Sequence, residues 1–301
     1  MKVFVTGATG YIGFNVACAY RRAGHEVWGL VRSEDKTRRL VRNEIRTIIG
    51  TLQSPQTWQD TARSCSLLVH TAADYHVDTF ALDRQAVDCL LALSKQSPQP
   101  KTLLYTSGTW VYGDTQGELV DETTPPRPAK LVTAQPATER LVLDAKQVRG
   151  LVMRPGCVYG RQGGLAAIWF EAVARDKVLQ AIGDGSNRWA TVHVDDLADA
   201  YVRAGESGLA GEVFNLTDGS HTSVSEMAGA LARVAGYTGD ITFVPALEAA
   251  RTMGDLAECL ALDQNVDAGK AARMLGWQPA HRSFINDIEI YYRAWEAGQE
   301  C

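Results

Sequence analysis

Three glycines at equal spacing, Gly7, Gly10 and Gly13 in VTGATGYIG, carry the first readable chemistry of the chain. A short apolar run precedes them (KVFVT, residues 2–6) and a segment of helical periodicity follows (Ile12, Val16, Ala17, Tyr20). Between a strand and a helix, the first glycines permit a tight turn and close backbone approach to a pyrophosphate. Gly13 lets the helix pack on the strand, and the helix start offers unpaired N–H groups. The spacing therefore points to a dinucleotide site that includes Thr9, Tyr11 and Ile12; the alternative is a glycine-rich turn that holds nothing. Metal chemistry has no comparable signal. The cysteines Cys18, Cys65, Cys89, Cys157, Cys259 and Cys301 are scattered without Cys-x-x-Cys, and His70 and His76 stand six apart. His193, followed by Asp195 and Asp196, reads as a structural turn. Reduced thiols and no metal are expected.

The elements that would position such a site alternate regularly. Residues 25–32 (HEVWGLVR), 47–50 (TIIG), 67–73 (LLVHTAA) and 102–108 (TLLYTSG) read as strands, with a helix around 80–96. LVLDAKQVRG then leads, as helix then strand, into LVMRPGCVYG at 151–160. Strand–helix alternation implies right-handed crossovers and a parallel sheet covered on both faces, an α/β architecture. Beyond Gly160 the pattern loosens. AAIWFEAVARDKVL reads as one amphipathic helix and EVFNLTD (212–218) as a strand. Ser223 and Glu226 form an S-x-x-E capping box, and SFINDIEIYYRAWEAG reads as a closing helix.

With 301 residues, 46% hydrophobic and 22% charged, the chain can bury an ample core. It has no apolar run of about 18 residues, so no membrane span is expected. MKVFVTG enters a strand directly, without a charged-then-apolar leader, which leads to the expectation of a cytoplasmic protein. The formal charge of −5 and the isolated pairs Arg21–Arg22 and Arg38–Arg39 fit solvated helix faces better than a nucleic-acid surface.

TGATGYIG, HTAA (70–73), VYG (111–113), RPGCVYG (154–160) and VHVDDLADA (192–200), in that order, resemble the extended or atypical short-chain dehydrogenase/reductase superfamily, the epimerase/dehydratase-like proteins included. The tail DQNVDAGKAARMLGW resembles its C-terminal region, so the likeness spans nearly the whole chain. It implies a Rossmann doubly wound parallel sheet with a smaller interleaved substrate domain. The expected division is 1–160 plus about 187–217 for the cofactor domain, and about 161–186 and 218–301 for the substrate domain. It also implies cofactor contacts from Thr51 and Leu52, from Thr71, Ala72 and Ala73, and from Pro155 and Val158. NAD-preferring relatives carry an acidic residue near the end of the second strand; here that place is Val31. Arg32 and Ser33 follow, able to hold a 2′-phosphate by charge-assisted bonds, which points to NADP(H) over NAD. In relatives the helices near 80–96 and 135–148 pair across a two-fold axis. Val87, Leu90, Leu91, Leu141 and Val142 offer apolar positions there, so a homodimer is expected.

The departures concern catalysis. The resemblance implies a Ser or Thr plus Tyr-x-x-x-Lys, in which the lysine grips the nicotinamide ribose and lowers the tyrosine pKa. Register from VYG and from Glu139 puts these three roles at Gly108, Leu131 and Gln135. None of the three is an acid or a base, although Gln135 can still hydrogen-bond a ribose. Pro136 suggests that a helix starts there. Where the family has Gly-Asp after the third strand, this chain has Gly50-Thr51. Replacement donors are Tyr75 and His76 after HTAA, Thr109 beside the empty serine position, and Tyr112. Tyr75 stands as donor or wall aromatic, Thr109 as donor or backbone partner, and Tyr112 reads as packing. Trp110, Tyr159, Arg188 and Trp189 are expected to line the substrate cleft; in sugar-nucleotide enzymes an arginine one residue from this register contacts a diphosphate. A tryptophan-rich wall suits an aromatic or apolar substrate. The expected function is therefore NADP-dependent reduction of a small carbonyl, imine or enone with a non-standard proton donor. The alternatives are an NADP-binding sensor or regulator without turnover, and a non-redox lyase or isomerase.

Overall fold

The computed structural model describes residues 1–73, 79–95, 97, 99–161 and 163–299. In chain order the strands are β1 (Lys2–Thr6), β2 (Glu26–Val31), β3 (Arg46–Ile49), β4 (Leu67–His70), β5 (Lys101–Thr106), β6 (Leu119–Val120) and β7 (Val148–Pro155). They continue with β8 (Cys157–Tyr159), β9 (Leu179–Ile182), β10 (Thr191–His193), β11 (Glu212–Leu216), β12 (Ile241–Val244) and β13 (Asn265–Val266). Seven of them form one parallel sheet in the order β11-β7-β5-β4-β1-β2-β3. All of β4 and all but the first residue of β1 are buried, as strands covered on both faces must be. The order reverses between β1 and β4, so their C-terminal ends flank a crevice at the switch point.

Helices α1 (Tyr11–Arg22), α2 (Thr37–Val41), α3 (Gln59–Ser64), α4 (Thr79–Lys95) and α5 (Gln135–Leu143) belong to the first half. They are followed by α6 (Ala166–Glu171), α7 (Val194–Glu206), α8 (Val224–Val234), α9 (Ala246–Met253), α10 (Leu256–Ala261), α11 (Gly269–Leu275) and α12 (Ile288–Gln299). One sheet face packs Val3, Val5 and Val69 against Val16 and Tyr20 of α1 and Leu197 and Tyr201 of α7. The other face packs Phe4, Leu68 and Tyr105 against Trp58, Val87, Leu90 and Val142. Val87, Leu90, Leu91 and Val142, four of the five positions on which helix pairing between copies was expected, lie inside the chain's own core, and Leu141 packs against it partly buried. Arg84, Asp88, Arg140 and Asp144 face outward instead.

A second core joins Trp169, Phe170, Leu179, Leu231, Phe284, Tyr291 and Trp295 from the later segments. Ala271, Leu275 and Trp277 sit in the sheet core, and the Trp277 indole donates to the Asp196 carbonyl at 2.8 Å. The segment read as one helix from residue 166 is α6 for six residues, then a π-type turn over Ala172–Asp176 that ends on Lys177 in the left-handed conformation. The Ser223–Glu226 capping box is present and starts α8. No helix among the described residues is long and apolar enough to cross a membrane.

Candidate active site

The β1–α1 turn needs its glycines for steric reasons visible in the backbone. Gly7 has φ +71°, and a Cβ there would stand 2.8 Å from the Ala72 backbone. At Gly13 a Cβ would fall 2.2 Å from the Gly7 carbonyl oxygen and 2.4 Å from Thr71 Oγ1. The turn therefore sits directly against the end of β4. Gly10 precedes α1 with no side-chain cap, so the first N–H groups of the helix open toward the crevice. Thr9, Gly10, Tyr11, Ile12 and Gly13 line a cavity of about 890 Å³ there.

That cavity runs across the C-terminal ends of the strands. At the β2 side its wall includes Arg32, Asp35, Lys36 and Arg39, with Thr51 and Leu52 after β3. Thr71, Ala72 and Ala73 form the middle, with Pro155 and Val158 on the β7 side. The far end has Phe80, Trp110, Leu131, Val132 and Leu165, an apolar surface broken by Asp83, Ser107 and Gln135. The expected dinucleotide residues thus converge on one cavity, apart from Ser33. Its hydroxyl hydrogen-bonds Asp35, which holds that carboxyl below its usual range. Arg39, read from sequence as part of a solvated face, lies on the cavity wall with its guanidinium carbon 3.6 Å from the centre of the Phe14 ring. Helix α2 turns it back over α1, which charge pattern alone does not reveal.

The residues fit a bound nicotinamide dinucleotide. Two glycines leave a cradle that side chains would fill, and two buried polar atoms on the wall, Gln135 Oε1 and Ser107 Oγ, have no hydrogen-bond partner among the described residues. Pro136 lies in the first turn of α5, so Gln135 is fixed at the start of that helix. Gly108 is extended, and a Cβ there would meet only the Pro155 carbonyl at 3.7 Å. Packing does not force the missing side chain. Tyr11 carries a hydroxyl, but it donates to the Gly160 carbonyl at 2.8 Å, and burial raises its pKa far above ordinary. Burial, and then the charge of Cys259, pushes the Cys157 thiol up to about 12, so it stays protonated.

Thr109 lines the cavity while its hydroxyl points away from a donor role. It donates to Gln264 Oε1 at 3.0 Å, and Gln264 Nε2 donates back to the Thr109 and Gly113 carbonyls. Tyr112 donates to Asn215 Oδ1 at 2.9 Å and accepts from Arg154 at 2.7 Å. Tyr75 and His76 lie outside the described residues. Of the four expected cleft residues, Trp110 lines the cavity and three do not. Tyr159 is 2% exposed, ringed by His193, Phe284 and Tyr291. Trp189 stacks on Trp169 at 5.0 Å and donates to the Leu260 carbonyl. Arg188 forms two side-chain bonds to Asp263, at 2.8 and 2.6 Å, and those bonds hold the Asp263 carboxyl below its usual range. Tyr159 and Trp189 are among the large rings that fill the second core. His193 accepts the Asp195 N–H at the start of α7 and stacks on His281 at 3.7 Å.

Sequence reading missed Asp83. Its signal was present: Phe80, Asp83, Val87, Leu90 and Leu91 fall on one helical stripe, so Asp83 is a charge on a buried face. It bonds His70 and Tyr105 beneath the cavity floor.

Comparison with known proteins places this geometry among related ones. The model of the NAD dependent epimerase/dehydratase family matches residues 3–217. A 4-hydroxy-2-methyl-3-oxo-4-farnesyl-3,4-dihydroquinoline-1-oxide ketoreductase of Stigmatella aurantiaca is 27% identical over 273 residues, 86% of this chain and 80% of the relative. A 3-diazoavenalumate denitrifying reductase of a Streptomyces species is 27% identical over 311 residues, covering 96% and 99%. Among solved structures, the dTDP-glucose 4,6-dehydratase of Bacillus anthracis with NAD superposes at a TM-score of 0.84, with 20% identity and coverage of 100% and 98%. A human epimerase family protein with NADPH superposes at 0.78, with 21% identity and coverage of 97% and 99%. These structural neighbours share the fold, and their cofactors are nicotinamide dinucleotides.

Proposed function

The chain belongs to the NAD dependent epimerase/dehydratase family, and on that premise we propose that it is an NADP-dependent reductase of a small, apolar or aromatic carbonyl, imine or enone compound. The observation that carries this reading is the division of one cavity into a cationic end and an apolar end. Arg32, Lys36 and Arg39 gather beside the end of β2, where a ribose 2′-phosphate would be held. Phe80, Trp110, Leu131, Val132 and Leu165 surround the other end, which suits a substrate without charge. Arg188, the nearest counterpart of a diphosphate-binding arginine, is committed to Asp263 and lies off the cavity wall, which favours a neutral compound over a sugar nucleotide. The two reductases among the relatives support the reaction class.

Bound here, the reduced cofactor would supply a hydride to the substrate. The protein's part is to hold it: the α1 N-terminus faces the pyrophosphate, Gln135 Oε1 accepts from a ribose hydroxyl, and the apolar end excludes water. The test is NADPH oxidation, followed by absorbance, against a panel of aryl ketones, cyclic imines and enones, with UDP-glucose as control. Turnover of a neutral aromatic member is the expected result. Micromolar NADPH binding with no member oxidising it would replace the enzyme by a cofactor-binding sensor, in keeping with Gly108, Leu131 and Gln135 at the three reacting positions.

A further inference from the structure

Asp83 is the one carboxyl among the described residues lining the apolar end of the cavity; the other on its wall, Asp35, lies at the β2 end. Its place is fixed by α4, where it stands one turn after Phe80, and Phe80, like Trp110 and Leu131, packs against the cluster of Ala129, Val132, Cys259 and Leu262. Below it, Thr6, His70 and Tyr105 are register partners at the ends of β1, β4 and β5, so their side chains share a sheet face. His70 Nδ1 bonds Thr6 Oγ1 at 2.7 Å, and its Nε2 bonds Asp83 Oδ1 at 3.0 Å. Tyr105 donates to Asp83 Oδ2 at 2.8 Å, and burial, then the Asp83 charge, keeps that phenol protonated. Each carboxyl oxygen thus takes one bond from below and retains capacity for another partner. The side chain is 13% exposed, against 1% for His70.

We propose that Asp83 is the proton-exchanging group of the substrate end of the cleft, positioned by His70 and Tyr105. The proposal rests on the reductase reading and supplies the proton that Gly108, Leu131 and Gln135 cannot. Asp83 first takes a proton from water at the cleft mouth. When the substrate carbon gains a hydride, the C=O π pair moves onto oxygen, that oxygen takes this proton, and Asp83 returns to the carboxylate held by His70 and the Tyr105 O–H. Among the described residues, the nearby fixed charges do not neutralise it. Glu139 of α5 and Arg154 of β7 pair with each other behind Tyr105, and Arg84 and Asp88 pair on the outer face of α4. A tie between α4 and the sheet would be served equally by a neutral amide, whereas a carboxyl on a partly dry wall is costly unless it is used.

The test uses the full chain and Asp83→Asn. Calorimetry at one pH, in two buffers of different ionisation enthalpy, counts protons exchanged on binding NADPH and NADP+. The cationic oxidised ring favours an ionised neighbour and the neutral reduced ring does not. The parent chain should therefore give different counts for the two forms, and Asp83→Asn should give equal counts at cofactor affinity within about threefold. With a substrate from the panel, Asp83→Asn should lower kcat roughly 10²- to 10⁴-fold, with partial rescue in Asp83→Glu. Tyr105→Phe keeps the carboxyl but removes one donor to its charged form, so the fall of activity with rising pH should move to higher pH. That variant decides the matter should Asp83→Asn not fold. Unchanged proton counts, or an unchanged pH profile with kcat within about threefold, would overturn the assignment. Absence of turnover by the parent chain sinks the reductase reading by itself and leaves the proton count to judge Asp83.

Discussion

Removing the Arg39 guanidinium should separate the two nicotinamide cofactors. Arg39 lies on the cavity wall with Arg32 and Lys36, and its planar group rests 3.6 Å above the Phe14 ring of α1. That contact pre-orders the side chain, so less entropy is lost when a phosphate arrives. A hydrogen bond to a charged partner contributes about 1.5–3 kcal/mol, or roughly ten- to a hundredfold in affinity. Because Arg39 is exposed to solvent, the lower end applies. Arg39→Ala should then weaken NADPH binding about tenfold and NADH binding less than about threefold. The loss should shrink at high salt, where surface charges are screened. Asp35, on the same wall, opposes the phosphate, so Asp35→Asn should strengthen NADPH binding by a small factor. Titration calorimetry of both cofactors at low and high ionic strength reads all three effects. Equal affinity of the parent chain for NADPH and NADH would refute the reasoning. So would an equal loss of both cofactors in Arg39→Ala, which would trace the effect to packing on Phe14.

Three further outcomes are expected. Gln135→Ala removes the buried acceptor Oε1 and should weaken NADPH and NADH alike, by about 0.5–1.5 kcal/mol in calorimetry; a change in one cofactor only would contradict the ribose contact. Thr109→Val leaves Gln264 Oε1 without its donor in a buried site, so thermal unfolding should show a loss of about 1–3 kcal/mol, with kcat little changed. A large kcat loss at unchanged stability would return Thr109 to the reaction. His193 is lowered from 6.5 to about 4, by burial first and then by the charge of His281. The unfolded chain therefore binds the extra proton at higher pH than the folded one. This contribution is complete above about pH 6.5 and is lost as pH falls toward 4, up to about 3 kcal/mol. Denaturant midpoints measured from pH 7 to 4 should fall less steeply in His193→Asn than in the parent, and parallel slopes would argue against it.

The sheet and the dinucleotide turn were legible because their causes are local. A buried parallel strand has to be a short apolar run, and Gly7 and Gly13 are excluded from carrying side chains by backbone at the ends of β1 and β4. The capping box at Ser223 and Pro136 in the first turn of α5 are likewise complete within a few residues. The residue types at Gly108, Leu131 and Gln135 could also be read, since they concern which residues are present and not where they point.

Other features belong to the tertiary structure. Tyr159 and Trp189 have the composition of a cleft wall, yet each finds partners only after distant segments meet: Tyr159 with Phe284 and Tyr291, Trp189 with Trp169 and the Leu260 carbonyl. Arg188 reads as a free cation until Asp263, from a segment 75 residues away, is brought against it. Arg39 shows the reverse case, a charged residue on a helix that reads as solvent-facing until the fold carries it to the cavity. The physical reason is the same in each instance. Backbone geometry and apolar period are properties of neighbouring residues, whereas the partner of a ring or a charge is set by which elements pack together.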